Sequence, residues 1–115
     1  MSRSIPTRPL VLCYGKYTNL LESRRLLLEG MGCEVDIAAR QTDFQRCFDK
    51  QPKYALIILC HTIATEERFS IESRCRAQGS NTVVYSPEAL MDPEELTLRV
   101  SELLDRRAVR GTVAR

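Results

Sequence analysis

The run Tyr54-Ala-Leu-Ile-Ile-Leu-Cys60 constrains this chain more than any other segment. It carries no charge and no polar/apolar alternation, and seven residues are too few for a buried helix. A short run of this kind is a strand covered on both faces, the condition of a central strand in a parallel sheet with helices on both sides. The remaining chain has to supply those helices and the flanking strands.

Residues 9–14 (PLVLCY) form a second short apolar run, bounded by Pro9 and Gly15, and read as another buried strand. The period then changes. From Asn19 to Met31, Leu20, Leu27, Leu28 and Met31 fall on one helical face, with Glu22, Arg24 and Arg25 on the other. Thr18 or Asn19 can cap this helix and Gly32 can end it. Cys33 to Ala38 alternates Val35 and Ile37 with Glu34 and Asp36, as a half-exposed strand near a sheet edge does. Thr42 and Gln45 have capping-box spacing, and Phe44, Cys47 and Phe48 share one face of a helix reaching Lys50, with Pro52 beyond its end.

After the central strand, Thr65 to Ala77 is a predicted helix with Phe69, Ile71 and Cys75 inward and Gly79 as its stop. Thr82 to Ser86 is a β-branched run closed by Pro87. Asp92-Pro93-Glu94-Glu95 then supplies a cap, a proline at the first helical position and an acidic first turn, followed by a stripe of Leu96, Val100, Leu103 and Leu104. Three parts follow: an extension over 1–8, a folded domain over 9–105, and a frayed basic tail over 106–115 with Arg106, Arg107, Arg110 and Arg115. Alternating strands and helices predict a flavodoxin-like, three-layer α/β/α fold with strand order 2-1-3-4, because the two most apolar strands then lie in the middle.

A chain of 115 residues has room for one such core. Its net charge of +2 argues for neither nucleic acid nor membrane as a partner, and no apolar run is long enough for a span or a signal peptide, so the expected location is the cytoplasm. Five cysteines (Cys13, Cys33, Cys47, Cys60 and Cys75) without a CxxC pair fit neither a disulfide framework nor a zinc site, and read as thiols in a reducing compartment.

The stretch VLCYGKYTNLLESRRLLLEGMGCEV resembles the first strand, first helix and second strand of bacterial response-regulator receiver domains, the CheY-like family. YALIILC is similar to the strand that carries their phosphoacceptor aspartate, NTVVYS to the strand ending in their Ser or Thr, and DPEELTLRVSELL to their last helix. The resemblance spans residues 9–105 and implies a phosphorylation pocket made of Gly15, Lys16, Cys60 and Ser86. That pocket is degenerate: Cys60 stands at the acceptor position, and Gly15 and Lys16, or Lys16 and Tyr17 in a register one residue on, replace the acidic pair that would hold magnesium. Only Pro87 to Met91 separates Ser86 from the last helix, so the family's fourth helix and fifth strand are missing or remodelled.

The expected function is a phosphorylation-independent pseudo-receiver that scaffolds or transmits in bacterial two-component signalling, without catalysis, cofactor or metal. Its expected partner is a protein or a second copy of the chain, met through Val83, Tyr85, Leu96, Val100, Leu103 and Leu104, which the absent helix would leave uncovered. Two alternatives stand beside it. Cys60 with His61 or Cys13 would make a thiol-based redox or catalytic domain, and Lys16 with Ser86 near a helix N-terminus would bind a small anion or a nucleotide.

Overall fold

Alternation along two adjacent strands builds the core. The computed structural model describes residues 8–49, 54–77, 82–87 and 91–113, with side chains as far as Asp105. Strands β1 (Leu10–Tyr14), β2 (Glu34–Ala38), β3 (Leu56–Leu59) and β4 (Val83–Tyr85) form one parallel sheet in the order β2-β1-β3-β4. Helices α1 (Thr18–Gly30), α2 (Gln41–Asp49), α3 (Thr65–Ala77) and α4 (Pro93–Val113) alternate with them. The expected fold class and strand order are those observed.

Val11, Cys13, Leu56, Ile58 and Cys60 project to one face and pack with Leu21, Leu28, Leu96 and Val100 of α1 and α4. Leu12, Tyr14, Ile57 and Leu59 project to the other, with Phe44 of α2 and Ile71 and Cys75 of α3. Every residue from Tyr54 to Cys60 is buried, as the unalternating run requires. Tyr14, Phe44 and Phe48 stack with ring centroids 4.7 and 5.6 Å apart, and the Arg74 guanidinium lies 4.7 Å above Phe48, so α2 and α3 are joined through aromatic contacts.

Gly32 ends α1 with φ +96°, a left-handed conformation that favours glycine. The Gly32 N–H donates to the Glu29 carbonyl at 3.0 Å and the Cys33 N–H to the Leu28 carbonyl at 3.1 Å, a Schellman pair that satisfies two carbonyls of the last turn. At the other end Tyr17 is the N-cap and makes no side-chain capping bond, so neither Thr18 nor Asn19 has that role. Pro93 is the first residue of α4, as expected.

Several expectations are corrected. The inner face of α1 is Leu21, Arg24 and Leu28, while Met31 is exposed and Leu20 only half-buried. Helix α2 starts at Gln41, and Gln45 does not close a capping box: its amide donates to Asp49 and accepts from Arg74. Phe69 is 64% exposed, because α3 turns Ile71 and Cys75 to the sheet instead. Helix α4 runs on to Val113, well past Asp105; the residues after Asp105 include no proline and no glycine before Gly111, so nothing local ends it. The expected interaction surface is also revised. Leu96 and Val100 are completely enclosed, and Val83, Tyr85, Leu103 and Leu104 are half-buried against the same cluster. Alternation is the reason: Val83 and Tyr85 point to the face that α4 covers, while Val84 points to the α3 face and packs, half-buried, against the second cluster. Residues 1–7, Lys50, Pro52, Gly79, 88–90 and Arg115, and the side chains of Arg106, Arg107 and Arg110, lie outside the described residues.

Candidate functional site

In a doubly wound sheet, ligands and reactive groups gather at the carboxyl ends of the strands. Here those ends bring Gly15 and Cys60 together. The register pairs Cys13 with Ile58 and Tyr14 with Leu59, and the Cys60 N–H continues it by donating to the Tyr14 carbonyl at 2.8 Å. A Cβ added at Gly15 would lie 2.9 Å from both Cβ and Sγ of Cys60, so the strands meet this closely only because Gly15 has no side chain.

The principal partner of Cys60 is a residue that sequence reasoning placed on the solvent side. Arg24 is 4% exposed, and its Nη1 donates to Cys60 Sγ at 2.7 Å. Its Nη2 is enclosed and has no acceptor among the described residues. The signal that could have revealed it is its position in the Leu21-Arg24-Leu28 frame, with i, i+3, i+7 spacing, where an arginine stands in an apolar stripe. Burial pushes the Cys60 thiol up and Arg24 pulls it down, burial being the larger influence. The thiol is therefore protonated at neutral pH.

The other expected pocket residues diverge. Lys16 is exposed, and its backbone N–H donates to Thr62 Oγ1 at 3.1 Å. The Ser86 hydroxyl donates to Glu72 of α3 at 3.4 Å, on the face opposite Arg24. Around the same strand ends, the Tyr14 hydroxyl donates to Glu67 of α3, and burial followed by that carboxylate holds Tyr14 above the ordinary phenol range. Arg68 Nη1 donates to the Pro87 carbonyl at 3.4 Å and ties α3 to the end of β4.

This geometry does not assemble the thiol pairs considered above. Cys60 is held by Arg24, and the half-buried His61 has its Nδ1 enclosed without a partner among the described residues. Cys13 lies opposite Ile58, so Cys60 is its diagonal neighbour two residues on. Strand spacing puts such Cα atoms about 8 Å apart, beyond disulfide reach. Cys13 itself is pushed up to about 12 by burial and by the neighbouring Cys60. Lys16 and Ser86, facing solvent and α3, do not converge on a common anion. Among the described residues, no three His, Cys, Asp or Glu side chains group as a metal site, and no helix is long and apolar enough to cross a membrane.

The architecture is that of receiver domains. The signal receiver domain ascribed to a Luxo repressor protein of Vibrio parahaemolyticus superposes on this chain with a TM-score of 0.65 at 16% identity, covering 93% of this chain and 98% of that one. At that identity the likeness shows the fold. No protein-family model matches the chain, and no curated protein does.

Proposed function

We propose that this chain is a receiver-like signalling module that works by protein contact in the cytoplasm and takes no phosphoryl group. The observation that carries this reading is the Arg24–Cys60 contact. Where a receiver needs a carboxylate acceptor and a divalent cation, this chain has a neutral, enclosed thiol hydrogen-bonded to a permanent internal cation. A thiol at that position cannot form the acyl phosphate of a receiver, and a guanidinium beside it opposes magnesium.

A signalling fold without phosphotransfer retains its surfaces as the means of output. The partner is a protein, a second copy of the chain included. Of the six side chains first expected to meet it, Leu96 and Val100 are enclosed in the α4 core, and the half-buried Val83, Tyr85, Leu103 and Leu104 remain candidates for the contact surface. Light scattering at micromolar concentration, combined with affinity co-purification from the native cell, tests this reading. A dimer, or a partner retained at a defined stoichiometry, supports it. A strictly monomeric chain that retains no protein overturns it.

A further inference from the structure

The guanidinium of Arg24 is an enclosed cation, and a buried charge is costly unless an opposite charge meets it. Nη1 has only a sulfur to donate to and Nη2 is enclosed with no acceptor among the described residues. A protonated thiol is a weak, uncharged acceptor, so the reduced protein leaves this cation under-compensated. Oxygen atoms added to that sulfur would supply an anion beside Nη1 and acceptors for the unpartnered Nη2 of the same guanidinium. The geometry points to Cys60 as an oxidative modification site whose sulfinate is held by Arg24, with hydrogen peroxide as the oxidant.

The chemistry balances in two steps. The Cys60 sulfur attacks one oxygen of hydrogen peroxide, so that an S–O bond forms as the O–O bond breaks; the departing hydroxide takes the thiol proton and leaves as water, giving sulfenic acid. A second peroxide repeats the attack and is also reduced to water. The resulting sulfinic acid loses its proton to solvent, leaving two oxygens that share one negative charge. A two-oxygen anion matches the two-pronged guanidinium as a carboxylate does. The sulfur is fully enclosed beneath the turn that begins at Cys60, where the Ile63 N–H donates to the Cys60 carbonyl at 3.0 Å. Local opening of that turn admits an oxidant the size of peroxide, so the reaction is slow and selective.

Selectivity separates this site from its neighbours. Cys13 and Cys33 are enclosed in the same half of the core; the Arg24 charge also reaches Cys13, but among the described cysteines only Cys60 accepts a hydrogen bond from it, which favours the nucleophilic thiolate there. The inference holds whether or not the chain signals by contact, because its readout is chemical.

The test is exposure of the folded full chain to hydrogen peroxide, followed by digestion and mass spectrometry of sulfinate at each cysteine. About tenfold more sulfinate is expected at Cys60 than at Cys13 or Cys33, and Arg24→Met should bring Cys60 down to their level. A Cys60 as inert as Cys13 and Cys33 in the unsubstituted protein overturns the inference, as does equal Cys60 oxidation in a folded R24M chain. If R24M fails to fold, the ratio of Cys60 to Cys13 in the unsubstituted chain decides alone.

Discussion

Strands β3 and β4 lie side by side in one sheet and are both strongly apolar, yet only β3 is enclosed. It has β1 and β4 at its edges and helices on both faces, and all of its residues are buried. β4 has β3 as its one neighbour among the described residues, and all three of its residues are half-buried. Its α4 side, with Val83 and Tyr85, packs on one half of the core, while on its α3 side Val84 packs on the other half and also borders a depression lined by Glu72, Cys75, Arg76 and Thr82. Burial is thus a property of what covers a strand as much as of the strand's own residues.

The largest test of this contrast is Val100→Glu. Val100 is fully enclosed between α4 and the sheet, so a charge there should cost about 4 kcal/mol or more and abolish the native urea transition. A chain of unchanged stability that merely loses self-association would show that α4 faces outward after all.

Alkaline titration examines the same half of the core through Cys13. Its pKa is raised from 9.0 to about 12 in the folded state, so the native protein holds this proton more tightly than the unfolded chain does. The resulting stabilisation is complete below pH 9 and is lost as pH rises towards 12. At about 1.4 kcal/mol per pH unit it amounts to roughly 4 kcal/mol across that window. Cys13→Val should flatten the fall in stability between pH 9 and 11 measured by urea melts, and an unaltered slope would place Cys13 in a wetter site.

Gly15→Ala addresses the strand-end contact. The added methyl would meet Cys60 at 2.9 Å, and the strands would have to part at a cost of about 2 kcal/mol, read as a lower melting temperature. The smallest effect belongs to the side with the depression: Val84→Lys should change stability by less than about 1 kcal/mol, since a long side chain at the half-buried Val84 can reach solvent through it. A loss comparable to that of Val100→Glu would mean that this side is enclosed as well.

The parts of the fold legible in the sequence were those where a single local rule applied. The unalternating run from Tyr54 to Cys60, the left-handed stop at Gly32 and the proline start at Pro93 each have one physical reading, and together with the order of elements they lead to the sheet order observed. Elements whose apolar residues fit two helical faces were not fixed in this way. In α1, Leu20 and Met31 compete with Leu21 for a face that Leu28 shares either way, and the charge on Arg24 tipped the choice away from Leu21. In α3, Phe69 is the most apolar candidate and yet is exposed, because tertiary packing selected Ile71 and Cys75. The candidate site suffered most. The resemblance put Gly15 and Cys60 in one pocket and the strand ends bring them close, but the main partner of Cys60 came from a helix face that a charged residue is not expected to occupy.

The central claim, that a neutral thiol and an internal cation have replaced phosphotransfer chemistry, is tested most directly by intact mass measurement after incubation with acetyl phosphate and magnesium. The account predicts an unchanged mass for the native chain and also for Cys60→Asp, whose new carboxylate would pair with Arg24 instead of a metal. Addition of one phosphoryl group to the native chain would contradict it.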